Sequence, residues 1–166
     1  MRGSFTGHGS QTRAVPVCFG ASRKRARIAS MEGNCRITRN ALQQMLEAAR
    51  ADSTHECCGL LAGRDSTITT VFAAHNALAS ATAYEIAPNE LFAIFREMRA
   101  QNLEFLGIYH SHPHSENIPS ATDVARAYYP DAIYFIISTI LDAPTPIRAF
   151  RIRDGRFTEL EIEEAS

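Results

Sequence analysis

From Gly107 the chain reads Gly-Ile-Tyr-His-Ser-His-Pro, and from Pro119 it reads Pro-Ser-Ala-Thr-Asp. Side chains alternate between faces along a strand, so His110 and His112 project the same way, about one pleat repeat apart. Two imidazoles on one face are a natural pair of zinc ligands, and Asp123, after an intervening loop, can return a carboxylate as the third. Three protein ligands leave the fourth tetrahedral position open to water, which is the catalytic rather than the structural arrangement. Each fragment also has a plainer reading. A His-x-His pair alone is a weak signal. Ser120-x-x-Asp123 is also a capping box, with Ser120 as N-cap and Asp123 at N3. The two readings coexist, because a helix N-terminus is a good place to fix a ligand's geometry. His114 continues the alternation, but Pro113 ends the strand before it, so His114 reads as a solvated loop residue.

The elements that must hold these residues can be read from periodicity. Cys35–Thr38 forms a short strand. Leu42, Met45, Leu46 and Ala49 recur at helical spacing over 39–51. Residues 57–63 read as a buried strand, Arg64-Asp65-Ser66 as a turn, and 67–73 as a β-branched partner, which together make a hairpin. Leu91, Phe92, Phe95 and Met98 mark one apolar face of a helix over 89–102. The histidine strand spans 103–112, and a helix runs from Ser120 to about Tyr129. Strands are expected over 134–140, 147–152 and 157–162, the last entered through Gly155. Helices and strands mix without strict βαβ alternation, so the fold class is α+β, a mixed sheet with helices packed on it.

The 166 residues fit one domain, and with 45% hydrophobic residues the chain can build a core of that size. Charge divides it. Residues 1–30 contain five arginines, one lysine and no acidic residue, are rich in Gly, Ser and Thr, and show no periodicity. They read as a disordered basic tail or an over-extended start, with the folded domain over 31–166. That domain, with eleven basic and eighteen acidic residues, carries a net charge of −7, which gives no electrostatic case for nucleic acid or an anionic membrane. No run of about 18 apolar residues suggests a transmembrane helix, and the basic start lacks the apolar segment of a secretory signal. Cys18, Cys35, Cys57 and Cys58 form no Cys-x-x-Cys pair, so neither a zinc knuckle nor a disulfide framework is indicated, which suits a reducing cytoplasm. Cys57 and Cys58 read as core residues.

The order Glu56, then His110-Ser111-His112-Pro113, then seven residues from Pro113 to Pro119, then Ser120-x-x-Asp123 resembles the JAMM motif of MPN+ metalloproteases. Glu56-Cys57-Cys58-Gly59-Leu60-Leu61-Ala62-Gly63 is similar to the family's Glu-containing strand. Asn76 and Tyr84-Glu85-Ile86 fall where compact prokaryotic members carry such residues. The resemblance covers roughly residues 33–162 and departs at no motif position. It implies a three-layer, cytidine-deaminase-like MPN domain with one zinc ion per chain held by His110, His112 and Asp123. It also implies Glu56 as the general base and later acid, and Ser120 as a hydrogen-bond donor to the oxyanion. Residue chemistry alone leaves Glu85 and Glu116 open as the base, and leaves Glu56 as a solvated residue at a strand start. Ser111, between the two ligands, faces the opposite side of its strand.

By the same resemblance the reaction is hydrolysis of the amide bond after the C-terminal Gly-Gly of a ubiquitin-like or sulfur-carrier protein. A groove admitting only an extended Gly-Gly would follow if the substrate tail docked as a strand at a sheet edge. Three rival readings are a non-catalytic MPN scaffold, another zinc-dependent amide hydrolase, and the JAMM group associated with DNA repair. The first is disfavoured because every motif residue is present. The third is disfavoured because nothing resembles that group's usual DNA-binding segment. Nucleobase deamination is disfavoured by the lack of its His-x-Glu and Pro-Cys-x-x-Cys signature.

Overall fold

The computed structural model describes residues 33–140 and 143–165, so the basic segment over 1–30 and Cys18 lie outside the described residues. The elements run β1 (Asn34–Thr38), α1 (Arg39–Ala51), β2 (Cys58–Arg64), β3 (Thr67–Ala74), α2 (Pro88–Ala100), β4 (Glu104–His112), α3 (Ala121–Ala125), β5 (Ile133–Ser138), β6 (Ile147–Arg153) and β7 (Arg156–Ala165).

Local chemistry explains most boundaries. Thr38 caps α1 by accepting from the Ala41 amide at 3.4 Å, and Ala41, Met45 and Ala49 form the buried stripe at four-residue spacing. Pro88 opens α2 at a position where its missing N–H costs nothing. The β2–β3 hairpin closes through Asp65 and Ser66, both at positive φ, as a two-residue turn of primed geometry requires. Asp154 and Gly155 do the same between β6 and β7.

The seven strands of the described residues join in the order β1-β3-β2-β4-β5-β6-β7, and the sheet closes on itself. β1 pairs in parallel with β7 over five residue pairs and with β3 over two, and β4 pairs in parallel with β5. The remaining pairings are antiparallel, so the sheet is mixed. The face shared by all seven strands packs against α1, with Ile37, Leu61, Ile68, Tyr109, Phe135, Ala149 and Leu160 around Met45. The opposite face packs Leu60, Phe72, Ile108, Ile136 and Phe150 against Ile94 and Met98 of α2. The helices therefore lie on opposite sides of the sheet, as a three-layer arrangement requires, but the middle layer is a ring. Because neighbouring strands are offset, the closed ring still leaves unpaired strand edge among the described residues, on β3 beyond its two pairs with β1 and on the first half of β7.

Two elements end three or more residues from where periodicity puts them. α3 stops at Ala125 rather than near Tyr129. The Tyr134 hydroxyl explains this: it accepts from the Tyr129 amide at 3.1 Å and donates to the Tyr129 carbonyl at 3.2 Å, removing both groups from any helical ladder. β7 extends to Ala165 because its C-terminal half is the partner of β1. Gly59 has a packing role: a Cβ there would collide with the Phe72 carbonyl and the Tyr109 ring, so glycine lets the fully buried Tyr109 lie across β2 and lock β4 in place.

Candidate metal centre

β4 presents Ile108, His110 and His112 to the α2 face and Tyr109 and Ser111 to the α1 face, the alternation that a strand imposes. His110 and His112 are buried, and their Nε2 atoms lie 3.1 Å apart. The loop after β4 returns through Ser120 to α3. There Asp123 places Oδ1 3.3 Å from His110 Nε2 and Oδ2 3.4 Å from His112 Nε2. Ligand-type atoms of these three residues all lie within 4.8 Å of one another.

The capping box read in the sequence is formed in full. Ser120 Oγ accepts from the Asp123 amide at 3.1 Å, and Asp123 Oδ2 accepts from the Ser120 amide at 2.7 Å. Cap and cluster are therefore one structure, and the helix start fixes the carboxylate. His112 donates from Nδ1 to the Glu116 carbonyl at 2.7 Å. In the neutral ring that bond leaves a bare lone pair on Nε2, pointing at Asp123. Burial holds His110 below the ordinary histidine range. Burial pushes Asp123 up, but the two histidines and Ser120 outweigh it and hold the carboxylate ionised. Converging lone pairs with one negative charge, in a buried pocket, form a donor set that fits a divalent cation.

Glu56 is not solvated: it is 4% exposed. It sits just before β2, where Ser111 locks the chain. Cys57 donates to Ser111 Oγ at 2.9 Å, and the Ser111 amide donates to the Cys57 carbonyl at 3.0 Å. Burial pushes Glu56 up to about 7, with His112 pulling down and Asp123 pushing up, and its buried Oε2 has no hydrogen-bond partner among the described residues. A carboxylate in that state is poised to take or give a proton near neutral pH.

Neither alternative base belongs to the cluster. Glu85 and Glu116 are exposed, and Glu116 serves through its main-chain carbonyl. His114 is exposed, as expected. Burial raises both the Cys57 and the Cys58 thiol, which disfavours the thiolate that a nucleophilic cysteine needs.

The residue that sequence reasoning left without a role is Asn76. Its side-chain amide donates to the Glu56 carbonyl at 3.1 Å and to the Ala83 carbonyl at 3.0 Å, and its carbonyl accepts from the Leu78 and Glu85 amides at 3.1 and 3.2 Å. This one buried side chain ties Glu56 to the loop over 75–87. Its local signal is an Asn two residues after the end of a β-branched strand, a position suited to an Asx turn.

Comparison with known proteins places the fold. Residues 38–153 match the family described as prokaryotic homologs of the JAB domain. The chain is 42% identical over 101 residues to a desampylase of Haloferax volcanii, covering 58% of this chain and 72% of that protein. It is 35% identical over 125 residues to a CysO-cysteine peptidase of Mycobacterium tuberculosis, covering 74% and 86%. A solution structure of a Desulfitobacterium hafniense protein superposes with a TM-score of 0.72 at 31% identity, covering 80% of this chain and 93% of that one. With the ring-shaped sheet and the cluster on β4 already described, this chain belongs to the compact prokaryotic branch of the JAB-domain family, the JAMM/MPN fold.

Proposed function

We propose that this chain is a zinc-dependent peptidase or isopeptidase that hydrolyses the amide bond after the C-terminal Gly-Gly of a ubiquitin-like or sulfur-carrier protein. The observation that carries this reading is the convergence of His110 Nε2, His112 Nε2 and the Asp123 carboxylate on the sheet face beside a buried Glu56 whose Oε2 has no partner. The relatives named desampylase and CysO-cysteine peptidase support the substrate class.

His110, His112 and Asp123 would hold the ion, leaving a position open for substrate and water. Zinc bound there supplies Lewis acidity, polarising an amide carbonyl and acidifying a water toward neutral pH. Glu56 would accept the proton of an attacking water on its Oε2. Its elevated pKa then lets it return the proton to the leaving amine. Ser120 accepts from the Asp123 amide, which leaves its own O–H available as a donor toward a developing oxyanion.

The test combines metal analysis with turnover. The purified chain is assayed against a ubiquitin-like protein whose Gly-Gly end is joined to a peptide or to a lysine side chain. Cleavage after Gly-Gly, with one zinc per chain, is expected from the wild type, and neither is expected from His112→Ala. A wild type that takes up zinc but leaves every Gly-Gly fusion intact would overturn the substrate class. A wild type that takes up no metal would overturn the chemistry.

A further inference from the structure

The two histidines of the cluster are oriented by different means. His112 has the usual outer bond of a ligating imidazole, from Nδ1 to the Glu116 carbonyl, which fixes tautomer and ring plane. His110 has none among the described residues: its buried Nδ1 has no hydrogen-bond partner there. Tyr84 lies against it instead, its ring stacked on the imidazole with centroids 4.7 Å apart and 26° between the planes. The His112 ring is tilted against the same imidazole at 5.0 Å. Tyr84 is held from both sides of its backbone. Asn76 grips the Ala83 carbonyl and the Glu85 amide at 3.0 and 3.2 Å, and the Ala77 amide donates to the Glu85 carbonyl at 2.8 Å.

We propose that Tyr84 is a positioning residue for His110: its aromatic face sets the imidazole plane, and with it the direction of the Nε2 lone pair, the task that the Glu116 carbonyl performs for His112. This rests on the reading of the cluster as a metal centre. Stacking fixes a ring plane without polarising the ring. His110 is thereby held in position without the added basicity that a hydrogen-bonded ligand gains. The contact belongs to the ring and not to the hydroxyl, so phenylalanine should serve as well as tyrosine.

The experiment titrates metal-free protein with Co(II), and with Zn(II) against a competing chelator, for the wild type, Tyr84→Phe, Tyr84→Leu and Tyr84→Met. Circular dichroism establishes that each variant is folded. Leu and Met variants should bind zinc about 10- to 100-fold more weakly and shift the visible Co(II) spectrum, while Tyr84→Phe should stay within about threefold of wild type with an unchanged spectrum. Folded Leu or Met variants with wild-type affinity and spectrum would overturn the proposal. So would a Phe variant as weak as Leu, which would transfer the role to the hydroxyl. If Leu fails to fold, Met against Phe decides. A wild type that binds neither ion would instead bring down the metal-centre reading on which this rests.

Discussion

Two loops deliver side chains to the same cluster, one after β3 and one after β4, and they are built on different plans. The loop after β4 is local in sequence. Its capping box joins Ser120 to Asp123 and its ligand-orienting bond joins His112 to Glu116, while its anchor, from Asn117 to the Thr145 carbonyl at 2.8 Å, is distant in sequence. The loop after β3 works at long range. Asn76 reaches back to the Glu56 carbonyl, and Tyr84 reaches across to His110. The first loop carries ligands and the second orients a proton carrier and a ligand ring. Mutation in the first loop should therefore act on metal retention, whereas mutation in the second should act on proton transfer through Asn76 and on metal affinity through Tyr84.

The strongest challenge to that division is Asp123→Ala. It should release the metal and reduce turnover to background, a loss of at least about 10³-fold, because the Lewis acid leaves with the ligand. Stoichiometric zinc in this variant, by mass spectrometry, would remove Asp123 from the ligand set.

Glu56→Gln should keep its zinc and still lose about 10²–10⁴ in kcat, the usual share of a general base. A rate within about threefold of wild type would take Glu56 out of the chemistry. The same variant has a second signature in metal-free protein. Glu56 ionises near 4.5 when unfolded and near 7 when folded. Its stabilising contribution is thus fully present below about pH 4.5 and is lost as pH rises through about 7. Urea unfolding should show Glu56→Gln gaining stability over wild type at pH 8 relative to pH 4.5, on the order of 3 kcal/mol at most. Parallel pH profiles would mean that burial does not penalise the carboxylate.

Asn76→Ala sharpens the contrast. It removes the partner of four backbone groups, one buried and three part-buried, and should cost about 2–4 kcal/mol in chemical denaturation. In the folded fraction, kcat should fall more than zinc content. If zinc falls first, the loop after β3 serves the ligands more than the base. The smallest effect is expected for His114→Ala, whose exposed ring belongs to neither plan. Turnover and zinc content should both stay within about twofold of wild type, as for other surface substitutions. A clear loss of zinc would place His114 among the ligands.

What could be read from the sequence follows the same division. His110, His112 and Asp123 lie within one short stretch, so strand alternation and a capping box suffice to bring them together. The β2–β3 hairpin and α1 were legible because turn chemistry and helical periodicity are local. Glu56 was not legible from residue chemistry, because nothing near it in the chain announces that Ser111 and Asn76 will bury it. The ring closure was hidden for the same reason: Asn34 pairs with Glu161, and no periodicity encodes a partner at that distance. α3 was read too long because its end is set by the Tyr134 hydroxyl, which arrives from the next strand.

The seam between β1 and β3, two residue pairs long, has a consequence for how the molecule opens. It is the weakest joint of the ring, so the β3 amides facing it should exchange with solvent through local opening. Those of β4 and β5, buried on both faces, should exchange only when the whole domain unfolds. The histidine strand then belongs to the last part of the molecule to come apart. A partly opened ring would still hold His110 and His112 in register, and heat should unzip the seam well before it scatters the cluster.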